Sequence, residues 1–194
     1  TEPNYKKNVE ESNKIVLRRE IQKAREMTNG AIGVNIMMAL TDYEALLDIC
    51  LENKTDVVFI GAGLPLKKPD KLEESGTKLI PKVSSSRAAN LIFKHWMEKY
   101  NRVPDAVVIE GALCGGHIGF KKKDILENKT KPLASIVKET VREIDFYQQK
   151  FGIEIPVIAA GGIYSGKDIY NIMKIGAKAV KMGTRFVTTH ECDA

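Results

Sequence analysis

The sequence predicts an α/β fold with a parallel sheet and helices packed outside it. Three observations carry that expectation. Short β-branched runs alternate with amphipathic helical stretches along all 194 residues. Glycines stand at the ends of the runs, at Gly61, Gly63, Gly111, Gly161, Gly162 and Gly183. No repeat, low-complexity tract or linker interrupts the alternation. Strands that end in glycine at one sheet edge suit a TIM (β/α)8 barrel, whose ligand loops follow the strands. Only six strands can be counted where a closed barrel needs eight. The expectation is therefore one domain over 1–194 that forms an incomplete barrel, with the first two strands and the C-terminal part missing. An open, doubly wound sheet is the alternative, but no strand runs into a GxGxxG turn followed by an acidic residue.

Each element has its own signal. Leu17, Ile21, Ala24 and Met27 recur at helical spacing over 14–28, and Asn29-Gly30 ends that helix. IGVNIM at 32–37 reads as a strand. Thr41 and Glu44 have capping-box spacing for a helix reaching about Asn53. DVVFI at 56–60 and TKLIPKV at 77–83 are buried strands. Ser84-Ser85-Ser86 can cap the next helix, which turns Ala89, Ile92, Phe93, Trp96 and Tyr100 to one face. DAVVIE at 105–110 is the fourth strand and runs into the glycine loop 111–120. A helix over 132–150 points Leu133, Ile136, Val137, Val141 and Ile144 inward. IPVIAA and KAVKM supply the last two strands, around a helix at 166–175.

The totals exclude several classes. No apolar run approaches the ~20 residues that cross a bilayer, and TEPNYKKNVEESNK is not a secretory leader. Cys50, Cys114 and Cys192 are odd in number and lack CxxC spacing. They suggest reduced thiols in a cytoplasmic setting and no metal site. The net charge of +5 is spread along helices with interleaved Glu. With no recognition motif beside it, nucleic acid is not an expected partner.

The chemistry concentrates at strand ends. Gly161-Gly162 and Gly183-Thr184 close two consecutive strands. Such turns cradle a phosphate, because bare backbone N–H groups can approach its oxygens and a helix start adds its dipole. Thr184 brings a hydroxyl to the cradle, and Arg185 either pairs with phosphate or supports the fold. His117, in CGGHIG after a buried strand, is the candidate general base. His95 and His190 read as structural. Asn35 is either a ligand ring contact or a turn residue. Lys82 either faces the barrel mouth and stabilises an anionic ring or snorkels to solvent. Glu110 orients ligand or loop, or serves the fold. Cys114 has no base beside it and is assigned no role.

Taken together, VVIEGALCGGHIG, IPVIAAGGIYSG and VKMGTRFVTTHECDA resemble the flavin-dependent nitronate monooxygenases, formerly 2-nitropropane dioxygenases. The related flavin enoyl-ACP reductases share the pattern. The resemblance implies a TIM barrel that binds FMN. It implies that Gly161, Gly162, Gly183 and Thr184 hold the flavin phosphate, that Asn35 and Lys82 lie near the ring, and that His117 is the catalytic base. It also implies a preceding QGGM-like strand, absent from this sequence, and an amide more often than a lysine at 181.

The expected activity is oxidation of alkyl nitronates with O2 to carbonyl compounds and nitrite. The alternative is NAD(P)H-dependent reduction of an enoyl thioester. A homodimer is the candidate assembly. A dehydrogenase of the inosine-monophosphate kind would need a cysteine loop that GALCGGHIG does not resemble. A non-enzymatic basic module would leave the strand-end placement of the glycines without a reason.

Overall fold

The computed structural model describes residues 5–192. It divides into two compact units, Thr1–Ile80 and Pro81–Ala194. The strands are parallel wherever their register is defined, and their order is the order of the chain, without reversal. A doubly wound sheet would reverse at a switch point. The chain-order arrangement is that of a partial β/α barrel.

In the first unit, α1 (Tyr5–Met27) leads to β1 (Gly33–Met37), α2 (Tyr43–Glu52), β2 (Val57–Gly61) and the short α3 (Leu72–Ser75). The helix α1 starts well before the expected 14. Its apolar positions are also less buried than their spacing implies. Ile21 is inside, but Met27 is 77% exposed and Ile15 and Val16 are exposed. The capping box at Thr41 does not form. Asp42 is the N-cap of α2, which places Glu44 one residue too early to reach back. The Asp42 carboxylate instead accepts from Asn13 Nδ2 at 3.0 Å. Asp56 ties the unit together, accepting from the Ile32 N–H at 2.8 Å and pairing with Arg25 at 2.8 Å.

In the second unit, β3 (Lys78–Val83, which straddles the boundary) is followed by α4 (Ser86–Tyr100), β4 (Val107–Glu110), α5 (Lys122–Leu126) and α6 (Leu133–Phe151). Then come β5 (Val157–Ala160), α7 (Gly166–Lys174), β6 (Ala179–Lys181) and α8 (Thr184–Val187). The short helices α3, α5 and α8 were not expected from the sequence, since four or five residues show no period. Ser85 caps α4, accepting from the Ala88 N–H at 3.2 Å. Ala89, Ile92, Phe93 and Trp96 of α4 are wholly buried, as the helical spacing predicts. Ile136, Val137 and Ile144 of α6 are buried too, and the Phe93 and Tyr147 rings meet at 5.4 Å.

Two outcomes follow. Trp96 has no exposed surface, so Trp96→Ala should cost about 3–5 kcal/mol in urea unfolding. The Asp56 carboxyl sits below its usual value, first through the Ile32 N–H bond and then through Arg25. A depressed folded pKa adds stability above the unfolded value and loses it as pH falls through the folded one. Asp56→Asn should therefore flatten the acid limb of the stability–pH curve below about pH 4, read by thermal melts, and leave its slope near neutrality unchanged.

Candidate functional site

The charged and glycine-rich strand ends of the second unit lie together because its strands pair in register. Glu110 pairs with Ala160, and Ala160 with Lys181. Lys82 pairs with Val108, two residues before Glu110. Side chains in one row, or two residues apart on a strand, share a face. Lys82, Glu110 and Lys181 therefore project to the same side. That side is turned away from α6: a Cβ on Gly111, the next residue along β4, would meet Leu133 of α6 at 3.1 Å.

Lys82 Nζ stands 3.3 Å from Glu110 Oε1, and each side chain is only 11% exposed. Of the two readings open for Lys82, snorkelling to solvent is the one this geometry does not take. Glu110 is the last residue of β4 and is buried. A buried ion pair is held by geometry and by the cost of leaving either charge alone.

Past the strand ends, Gly161 and Gly162 have φ of +104° and +71°. A Cβ on Gly161 would come within 2.9 Å of Cys114 Sγ, and one on Gly162 within 2.8 Å of Leu113 Cδ1. The turn after β5 therefore requires glycine twice over, by backbone angle and by space. Cys114, given no role from sequence, is the wall against which Gly161 packs. Burial, and then the negative charge of Glu110, push its thiol above the usual value. Gly183 precedes Thr184, the first residue of α8, and both are exposed.

The expected dipole contribution from α7 is altered. Ser165 and Asp168 form a capping box, and the Asp168 carboxylate accepts from the Ser165 N–H at 2.8 Å and the Tyr164 N–H at 3.2 Å. An acidic side chain thus already sits where a phosphate would meet this helix. Arg185 lies over the Tyr164 ring, 5.0 Å from its centre.

His117 is exposed on the loop after β4, beside Gly116 at φ +80°. The far end of this loop is pinned by the Gly119 N–H, which donates to Ser84 Oγ at 3.0 Å. Leu113, on the same loop, is 80% exposed. His95 is half-buried, edge-on to Tyr100 at 6.3 Å. Asn35 lies in the first unit. It is the third of five residues in β1, not the strand end the sequence suggested, and it is exposed.

Lys181 is the residue that sequence reasoning left without a role. It is half-buried, and burial first, then the charge of Lys82, hold its amine below the usual lysine value. The available signal was a lysine inside the apolar run of β6. Among the described residues, no helix is long and apolar enough to cross a membrane.

Comparison with known proteins places this geometry. The family model described as nitronate monooxygenase matches residues 5–194. A "(3aS,4S,5R,7aS)-5-hydroxy-7a-methyl-1-oxo-octahydro-1H-indene-4-carboxyl-CoA dehydrogenase" of Rhodococcus jostii is 28% identical over 171 residues, covering 88% of this chain and 41% of that protein. A probable nitronate monooxygenase of Staphylococcus aureus is 29% identical over 155 residues, covering 78% and 39%. FabK from Thermotoga maritima superposes with a TM-score of 0.73 at 36% identity, covering 91% of this chain and 49% of that one. Nitroalkane oxidase from Streptomyces ansochromogenes, at 23% identity and a TM-score of 0.74, shares the fold. The chain spans about two-fifths of the length of the curated relatives it matches and about half that of FabK. A family match that runs over residues 5–194 shows that this chain belongs to the nitronate monooxygenase family.

Proposed function

We propose that the second unit binds FMN by its phosphate and that the protein containing this chain oxidises alkyl nitronates with O2 to carbonyl compounds and nitrite. One observation carries the cofactor reading. The turn after β5 is built of two consecutive glycines at positive φ, walled by Cys114 and Leu113, where any Cβ would fill the space. Such a turn admits the close approach of a phosphate to the backbone. On this reading Gly161, Gly162, Gly183 and Thr184 hold the phosphate, and the Lys82–Glu110 pair stands near the ring. Because Asp168 occupies the start of α7, the glycine N–H groups and the Thr184 hydroxyl carry the phosphate without that helix.

Bound FMN would supply the electron acceptor that no protein side chain provides. The protein's own part is positional and acid–base. His117, exposed on a loop anchored at Gly119, would take the proton from the carbon next to the nitro group. A positioned imidazole is worth about 10²–10⁴ in rate for such a transfer. The second reading, reduction of a thioester-bound enoyl group by NAD(P)H, is favoured by the carboxyl-CoA in the name of the Rhodococcus jostii relative.

Purified protein containing the whole chain should show flavin absorbance and consume oxygen with an alkyl nitronate. A colourless protein that FMN does not reconstitute overturns the proposal. Fast anaerobic bleaching of the flavin by NADH, without nitronate oxidation, would favour the thioester reading. His117→Gln should lower kcat/KM for a neutral nitroalkane by about 10²-fold or more and act far less on the preformed nitronate. Equal losses on both substrates would remove His117 as the base. Gly162→Ala should release FMN on gel filtration while far-ultraviolet circular dichroism stays unchanged, since its Cβ would enter the cradle against Leu113. Retained FMN would place the phosphate elsewhere.

A further inference from the structure

The ladder between β5 and β6 ends on the rung that joins Ala160 to Lys181. Tyr164 stands four residues beyond Ala160, and Arg185 four beyond Lys181. There the two segments meet again, with the Arg185 guanidinium 5.0 Å from the centre of the Tyr164 ring. Between the rung and this contact lie Gly161-Gly162-Ile163 on one arm and Met182-Gly183-Thr184 on the other. Both glycine turns are therefore sides of one closed frame.

The two arms are held differently. On the first, Ile163 is buried, and the Asp168 carboxylate fixes the Tyr164 and Ser165 N–H groups. On the second, α8 buries none of its side chains, and Phe186 and Val187 are 61% and 56% exposed. A single helical turn has little stability of its own, so packing does not fix Thr184 and Arg185. The Tyr164 side chain reaches α8 from the fixed arm. Its ring lies against Arg185, and Thr188 first, then Arg185, hold its phenol below the usual value. Thr188 Oγ1 in turn donates to the carbonyls of Thr184 and Arg185, each at 3.2 Å.

We propose that Tyr164 and Arg185 are positioning residues of the phosphate cradle: their contact closes the frame and presets the separation of the two glycine turns before a phosphate monoester arrives. This deepens the reading given above, on which it rests for the phosphate. A loop that must be ordered on binding costs affinity, and a loop already ordered avoids that cost. An exposed cation–π contact is worth about two- to fivefold in an equilibrium constant, which sets the size of the effect.

The probes are FMN and riboflavin, which has the same ring system without the phosphate, titrated into flavin-free protein containing the whole chain and followed by flavin fluorescence. Tyr164→Leu and Arg185→Met should each weaken FMN about two- to fivefold and leave riboflavin unchanged, and the double variant should be no weaker than either single one. Tyr164→Phe keeps the ring face and should keep FMN affinity. Tyr170→Leu, at an exposed residue of α7, should change neither ligand. Equal losses on FMN and riboflavin, or losses that add in the double variant, overturn the positioning role. Weaker FMN in Arg185→Met but not in Tyr164→Leu assigns Arg185 to the phosphate itself and also overturns it. A second measurement needs no ligand. The Phe186 and Val187 amides donate to the Gly183 carbonyl at 2.9 and 3.1 Å, and their hydrogen exchange should quicken in Tyr164→Leu and not in Tyr164→Phe. Exchange that Tyr164→Leu leaves unchanged overturns the contact as a tie. Quickened exchange in a protein that FMN does not reconstitute keeps the tie and sinks the phosphate reading.

Discussion

The in-register parallel pairing of β4, β5 and β6 is the constraint on which the rest of the second unit depends. Because parallel partners point to the same side, this pairing alone decides that Glu110, Ala160 and Lys181 form a row. A slip of one residue in either strand would send a charged side chain into the packing beneath α6. The glycine turn after β5 depends on the same pairing. It begins where Ala160 ends the ladder, so its position relative to Cys114 and Leu113 follows from the register as well.

What holds that register is the buried apolar layer on the other face. Ile109 and Ala159 have no exposed surface, α6 packs on both β4 and β5, and α4 packs on α6, with Ile92, Phe93, Trp96, Val137 and Ile144 buried on these two helices. Burying a large aliphatic or aromatic side chain is worth about 1.5–3 kcal/mol. A set of this size supplies several such contributions to the strands that carry the Lys82–Glu110 ion pair on their opposite face. The polar face is thus supported by packing on the other side of the same strands.

The two glycine turns differ in what they offer an anion. The turn after β5 is walled and left-handed, and a Cβ on either glycine would come under 3 Å from Cys114 Sγ or Leu113 Cδ1. The turn before α8 is open, and a Cβ on Gly183 would meet nothing. The first turn is therefore fixed in shape by Gly161 and Gly162, whereas the second presents the exposed Thr184 at the start of α8. The capping box of α7 keeps its helix start for its own aspartate. The start of α7 therefore offers an anion less of its dipole than the sequence pattern implies.

By itself the sequence determined the class of fold, the six strands, the long helices and the family, because period, β-branched runs and strand-end glycines are local signals that survive any packing. It also placed Lys82, Glu110, the glycine turns and His117 at strand ends or on the loops after them. It misjudged features that need a partner: the Thr41 cap, lost because the helix starts one residue later; the apolar stripe of α1, of which only Ile21 is buried; and the start of α7, taken by Asp168. Lys181 and Cys114 were given no role, since a lysine in a three-residue strand and a thiol in a loop acquire meaning only from neighbours far away in the chain. Those neighbours are Lys82, Glu110 and Gly161, brought close by strand register and by the missing side chain of a glycine. Only the tertiary structure decides such contacts, because they depend on distances between strands and not on the order of residues within one.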